Sequence, residues 1–450
     1  MHQVNTSASF TGTSPRKPMN LYANRAIRTY LSSMYAKWVG LAKNLKHNNR
    51  TYPSAILVPP VSLSGSVGDE AMLIGCIAYL KKHGFKRIAI VSFDPLCRWY
   101  FHDQVDEVID FHGKKRAFNF IKSTMPYSHL YCIGADVMDG KYSAEPVLRI
   151  TRLASLATYS GLQATISGFS FNEQPAPSST QLLKQLPKTV RLCARDPISH
   201  NRLKHFLNRP VELVADLAFL LEPSKLDAAF QPSLEWIKTE KQRGQMIIGI
   251  NINSTFLKLF EDFNKSNLVT AFVNLIETLG TVNSGLSFLL VPHDSRGEVN
   301  DGSLSIDVFT NISTEFKPRV HTIPFPCQAG DIKQIASHID FAITGRMHFA
   351  IACLGQGVPV IGMVYQGKFE GLYQHFGLKG LTVEPSMIFD AESLAHQVQT
   401  TLPKLPEIRN TILKNLPGVK ALARKNLNIS SDLYPVNSSS QEVIADANYN

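Results

Sequence analysis

The residues best placed to do chemistry lie in FAITGRMHFAIACLGQGVPVIGM (341–363). An apolar run ends at Thr344, Gly345 gives a turn, and Arg346 and His348 fall at the start of an apolar helix. An arginine fork, the unpaired amides of a helix start and an imidazole that titrates near neutrality form a compact site for an anion and a proton transfer. An intensely apolar helix that suddenly presents both groups favours this use over a capping histidine beside a surface arginine. The run VPVIGM leads on to YQGKFEG, whose Lys368 can offer the same anion a second cation.

Acids dominate the other glycine turns. SGSVGDEAML (64–73) follows AILVPP and opens a helix with the glycine spacing of a phosphate cradle. Asp69 and Glu70, the first acids in the chain, stand where the phosphate would be received. No Gly-Lys-Ser/Thr follows, so the turn is not a Walker A loop. Stabilising its own helix accounts for Glu70. For Asp69 two uses stay open: capping, or contact with sugar hydroxyls as hydrogen-bond acceptor or base. CIGADVMDG (132–140) carries Asp136 and Asp139 in a second such turn, which points to a neutral, hydroxyl-rich ligand. CARDPIS (193–199) puts Arg195 at a strand tip, either as an anion contact or as half of a surface pair with Asp196. LLVPHDS places His293 and Asp294 at another strand end, where a histidine can also simply hold a loop.

These turns need a scaffold that gathers strand ends. Short apolar runs at 55–60, 87–93, 129–134, 163–168, 190–194 and 211–215 alternate with segments of helical length such as Glu70–His83 and Leu148–Tyr159. Continuous β-branched runs separated by helices indicate parallel sheets covered on both faces. A polar, proline-bearing stretch marks a linker at 223–245, after which the alternation restarts at MIIGINI (246–252). The expected fold class is therefore α/β, with two Rossmann-like domains, 51–222 and 246–430, facing a cleft. Ligands in such sheets bind beyond the carboxyl ends of the strands.

The formal charge of +10 is unevenly placed. Residues 1–50 hold eight Lys and Arg and no acid, and the remaining 400 residues hold 38 basic and 36 acidic groups. A nearly neutral body with a basic arm is not a nucleic-acid-binding protein with a broad basic face. Within the arm Ile27, Leu31, Met34, Trp38, Leu41, Ala42 and Leu45 share one helical face. Three uses are open for residues 20–46: an interfacial helix on anionic lipid, a targeting peptide, or a helix packed on the main body. No run of about 18 apolar residues and no secretory signal are present, so a cytoplasmic protein, or one held peripherally at the membrane face, is expected. Six scattered cysteines without a CxxC pair argue for neither zinc nor disulfides, so no metal is expected. The polar tail over 431–450 is expected to be disordered.

With these residues assembled, the chain resembles the polysaccharide pyruvyl transferase family. GSVGDEAML and TGRMHFAIACLGQGVPVIGM carry the resemblance, with CIGADVMDG, CARDPIS, LVADLAFLL and LVPHDS between them in the family's order, over roughly residues 55–380. Two departures are visible: SVGD where the family often has Asn before Gly-Asp, and IGAD where it often has Gly-Gly. The resemblance implies a GT-B-like fold and transfer of a pyruvyl group from phosphoenolpyruvate to two hydroxyls of a sugar or lipid-linked oligosaccharide, leaving a cyclic ketal and phosphate. It carries Arg346, Arg195 and Lys368 over to phosphoenolpyruvate. His348 is the expected proton-transferring group, since an imidazole titrates near working pH. The acceptor side then falls to Gly68, Asp69, Glu70, Asp136 and His293. Two other readings stand beside it: a GT-B glycosyltransferase using a nucleotide sugar, and a catalytically silent scaffold for polysaccharide assembly.

Overall fold

The computed structural model describes residues 19–45, 53–61, 65–93, 102–141, 143–259, 264–364 and 367–428. The tail expected to be disordered and Cys97 lie outside the described residues. The N-terminal sheet contains β1 (Ser54–Val58), β2 (Arg87–Ser92), β3 (Glu107–Asp110), β4 (His129–Cys132), β5 (Gln163–Phe169), β6 (Arg191–Ala194) and β7 (Glu212–Leu213). They lie in the order β3-β2-β1-β4-β5-β6-β7, every pair parallel. Around it lie α1 (Met19–Leu45), α2 (Val67–Lys82), α3 (Arg116–Ser123), α4 (Ala144–Tyr159), α5 (Pro177–Lys184) and α6 (Pro197–Phe206).

The C-terminal sheet holds β8 (Met246–Asn251), β9 (Leu286–Leu290), β10 (Val320–Thr322), β11 (Phe341–Thr344), β12 (Val360–Met363) and β13 (Thr382–Val383). Its order is β10-β9-β8-β11-β12-β13, again parallel throughout. Its helices are α7 (Gln231–Gln242), α8 (Phe256–Leu259), α9 (Lys265–Val282), α10 (Asp301–Asn311), α11 (Ala329–Ala336), α12 (Met347–Leu354), α13 (Lys368–Gln374), α14 (Ala391–Thr401) and α15 (Leu405–Lys425). The central strands β1, β9, β11 and β12 are buried along their whole length, as apolar runs covered on both faces must be. The chain is thus two parallel-sheet α/β domains.

The structure departs from the sequence reading at several elements. The segment 223–245 is not a bare linker, because α7 occupies half of it and buries Ile237 against the C-terminal core. Its proline, Pro232, sits in the first helical turn, where a missing N–H costs nothing, so it starts the helix rather than breaking it. The strands β3, β10 and β13 escaped notice because they are short and stand toward the sheet edges, where few apolar residues are needed. The C-terminal end does not stay with its own domain. Beyond α15, Asn426 takes an N–H from Gly168 at 2.6 Å and donates to Ala215 O at 2.8 Å, both in the N-terminal domain.

The basic arm forms α1, packed on α3 and α4. Its buried face consists of Ser32, Ala36, Val39 and Lys43, opposite the stripe of large apolar residues. Gly40 sits where a Cβ would meet the Tyr159 carbonyl, so only glycine permits this approach. Lys43 donates to the carbonyls of Thr124 at 3.1 Å and Tyr127 at 2.5 Å. No helix among the described residues is long and apolar enough to cross a membrane.

The two domains meet through one continuous apolar cluster that includes Leu73 and Leu217 from the N-terminal side and Ile335 and Phe349 from the C-terminal side. At this junction Glu70 accepts the Ala329 N–H at 3.0 Å, capping α11 of the opposite domain. Burial raises the Glu70 carboxyl to about 7, opposed by the Ala329 amide and assisted by Asp331. The folded state therefore holds this proton more tightly than the unfolded chain. Its contribution is complete below the ordinary glutamate range and is lost as pH rises through about 7. Glu70→Gln keeps an acceptor for Ala329 without the charge. Between pH 5 and about 8 the variant should gain stability relative to the parent by on the order of 3 kcal/mol, read from urea midpoints across pH.

Candidate active site

The carboxyl ends of both sheets face a cleft of about 520 Å³. Its wall contains Gly68, Asp69, Asp136, Arg195, His293, Arg346, His348 and Lys368, eight of the nine residues expected from sequence. Glu70 is the exception, turned away to Ala329.

The start of α12 is built from β11 outward. Thr344 Oγ1 accepts the Arg346 N–H at 2.8 Å and donates to Asn251 Oδ1 at 3.1 Å. Arg346 is extended, at φ −97° and ψ 112°, and the helix begins at Met347. The first amide bonded within it belongs to Ala350, so the amides of Met347, His348 and Phe349 emerge at its open end. The Arg346 guanidinium is not an open fork. It grips Asp301 through Nε at 3.0 Å and Nη2 at 2.7 Å, touches Ser254 Oγ at 3.1 Å, and pairs with Asp294 at 3.2 Å. Asp301 is fully buried at the start of α10. Arg346 thereby locks two helix starts together beside the cleft.

His348 connects the domains. Its Nε2 lies 3.6 Å from Asp216 Oδ2, and the same carboxylate takes Arg195 Nη1 at 3.0 Å. Arg195 Nε donates to Ser170 Oγ at 2.7 Å. Burial alone would raise Asp216, but His348 and Arg195 hold it down to about 2. Across the gap a Cβ on Gly68 would overlap the His348 imidazole, so α2 can begin this close only with glycine there.

The side chain that caps α2 is Ser66, which accepts the Asp69 N–H at 3.4 Å. The Asp69 carboxyl is buried on the cleft wall, and burial lifts it above the usual range, with Arg296 and His348 opposing. Asp136 pairs with Lys368 at 2.7 Å. Burial pushes Asp136 upward, but Lys368 and Arg195 overcome it and hold the carboxyl well below the usual range. The residue before it, Ala135, is left-handed at φ 47°, a strained place for a side chain in the IGAD turn. His293 is buried and neither ring nitrogen has a partner among the described residues. Burial, with His348 and Arg346 adding to it, pushes its pKa far down, leaving a neutral ring with one donor and one acceptor.

Several residues on the wall or buried behind it were not singled out from sequence. Asp216 follows the short run VELVA, so the strand-end logic that found Arg195 also reaches it. Arg296 forms a bidentate pair with Asp294, the shorter bond being 2.6 Å. Lys258 on α8 lines the cleft exposed, its ammonium making no ion pair or hydrogen bond to any described residue. Asp301 carries no local signal, since an acid in a first helical turn ordinarily reads as a dipole contact. Among the described residues no group of three or more His, Cys, Asp or Glu is arranged to hold a metal ion.

The profile of the polysaccharide pyruvyl transferase family matches residues 67–367, spanning the cleft residues from Gly68 onward except Lys368 and Phe369. Comparison with curated proteins returned no match. Among solved structures, a glycosyltransferase from Rickettsia africae superposes with a TM-score of 0.53 at 16% identity, over 85% of this chain and 99% of the other. A Listeria monocytogenes protein described as a UDP-N-acetylglucosamine 2-epimerase gives 0.51 at 13% identity, over 84% and 95%. At such identities the likeness is one of fold, and it is the GT-B arrangement of two facing parallel-sheet domains.

Asp301→Ala takes from the largely buried Arg346 its two-point carboxylate partner, leaving only Asp294 at 3.2 Å, and removes acceptors from Ser254 and Asn251. Unfolding by urea should show a loss of about 3 kcal/mol or more, against under about 0.5 kcal/mol for an exposed control such as Glu298→Ala.

Proposed function

Because the chain belongs to the polysaccharide pyruvyl transferase family, transferases that act on polysaccharides, we propose that it moves a pyruvyl group from phosphoenolpyruvate to two hydroxyls of one sugar, forming a cyclic ketal and releasing phosphate. The observation that carries this reading is the gathering around His348 of cations, open helix amides and a buried carboxyl of raised pKa, all lining one cleft between the two domains. Phosphoenolpyruvate has a carboxylate and a phosphate, and both call for charged or N–H donors. The α12 amides, Lys368, Arg195 and Lys258 supply them, and His293 adds a neutral donor. Arg346 acts chiefly by fixing the start of α12, since its own fork is held by Asp294 and Asp301.

In the proposed sequence His348 gives a proton to the terminal methylene carbon, which becomes the methyl group. The neighbouring carbon, now cationic, forms a bond to the first sugar hydroxyl, whose proton passes to Asp69. The carbon–oxygen bond to phosphate then breaks, and phosphate departs with the proton from Asp69. The second hydroxyl closes the ring on the renewed cation, and its proton restores His348. Asp216, 3.6 Å from Nε2, gives the imidazole a carboxylate neighbour that fixes its orientation. Asp69 suits the acceptor side because Ser66 already caps the helix and because burial has lifted its proton affinity. Gly68 lets the two groups come within reach of one substrate, and Glu70 secures the domain junction behind them.

Phosphate release from phosphoenolpyruvate in the presence of oligosaccharide acceptors, with mass spectrometry of the sugar for a pyruvyl-sized gain, tests the reaction. His348→Ala should cut phosphate release by about 10²–10⁴-fold with the melting temperature kept, and full release would remove histidine from the role. In thermal shift, phosphoenolpyruvate should stabilise the protein. Stabilisation by UDP- or CMP-sugars alone would overturn the proposal in favour of a nucleotide-sugar glycosyltransferase.

A further inference from the structure

The helix α1 is docked the wrong way round for a helix whose only task is to complete a core. Ile27, Tyr30, Leu31, Met34, Trp38 and Leu41 are 49–66% exposed. At 3.6 residues per turn they fall within an arc of roughly 100°. The buried side chains facing the body are Ser32, Ala36 and Lys43, with Val39 the one larger apolar residue among them. A stripe of six large apolar side chains turned to water is costly unless something covers it.

The surroundings are cationic. Arg28 and Lys37 are exposed on α1, and residues 1–50 hold no acid. Beside α1 runs α3, touching it through Tyr35 and Phe118 with ring centroids 5.6 Å apart. Phe118 is itself partly exposed, and Lys114, Lys115, Arg116 and Lys122 stand exposed around it. No acid occurs between Phe111 and Ala135. Two copies meeting through this face would bring their cations together, whereas an anionic bilayer offers both an apolar layer for the stripe and negative headgroups for the rim. Trp38 and Tyr30 are the residue types that settle at the boundary between the two.

We infer that the exposed face of α1, extended by Phe118 and the cations of α3, is a docking surface for an anionic lipid bilayer, on which the protein lies without crossing it. The direction of α1 gives the surface an orientation. Gly40 and Lys43 meet the carboxyl ends of α4 and α3, while Tyr35 meets Phe118 near the start of α3. The amino end of α1 therefore points the same way as the start of α4, where Ser143 and Pro146 line the cleft.

The test is sedimentation of the full-length protein with vesicles, read as bound protein and so independent of the reaction proposed above. Vesicles of phosphatidylcholine containing phosphatidylglycerol should bind the protein, and binding should weaken as ionic strength rises. Trp38→Glu/Leu41→Glu should weaken binding about tenfold or more, with the circular dichroism spectrum and melting temperature retained. Leu31→Glu/Met34→Glu serves as a second variant should the first fail to fold. No binding by the unaltered protein, equal binding to pure phosphatidylcholine, or undiminished binding by folded variants overturns the inference. So does a concentration-dependent dimer that the same substitutions dissolve, which would assign the face to a second copy.

Discussion

Everything in the cleft depends on how closely two helix starts from different domains approach each other. The α2 turn meets α12 at Gly68 and His348, with no room for even a methyl group between them. That approach brings the first carboxyl of one domain and the imidazole of the other into a single field. It also explains one glycine of the acidic turn: Gly68 makes room for the neighbouring domain.

The charges of the site are arranged in matched pairs. Arg346 lies between Asp294 and Asp301, Arg195 against Asp216, Lys368 against Asp136, and Arg296 against Asp294. Buried ions require such partners, because an isolated one would shift its pKa and discharge. The pairing fixes each cation in place before any ligand arrives, so electrostatic stabilisation needs no rearrangement. Three groups of the cleft wall stand outside the pairing: the exposed Lys258, His293, neutral by burial, and Asp69, whose carboxyl burial lifts above its usual range.

Much of this was legible in sequence because parallel sheets put their ligand loops in one place. Apolar runs located the central strands, and inspecting each strand end found Asp69, Asp136, Arg195, His293, Arg346 and His348 without any knowledge of distance. What could not be read was the use of each side chain. Arg346 looked like an anion fork because Asp301, 45 residues away, leaves no local trace of its grip. Asp69 and Ser66 share one turn, and only the fold shows that the serine does the capping. Glu70 seemed to serve its own helix, and its partner proved to be α11, more than 250 residues further on. For α1 the periodicity found the stripe but not the side on which it lies, since small residues and one glycine decided the docking.

The return of the chain through α15 has a mechanical consequence. The C-terminal domain is reached through the segment after Leu221 and is left along α15, whose far end is held by Asn426 to Gly168 and Ala215. It is therefore tethered twice, and both tethers run along the apolar junction at the back of the cleft. A body joined at one point can tumble, whereas one joined at two can only swing about the line between them. The open side of the cleft is the side away from that line. Relative motion of the two domains is therefore confined to that one axis, and release of Asn426 would free a second.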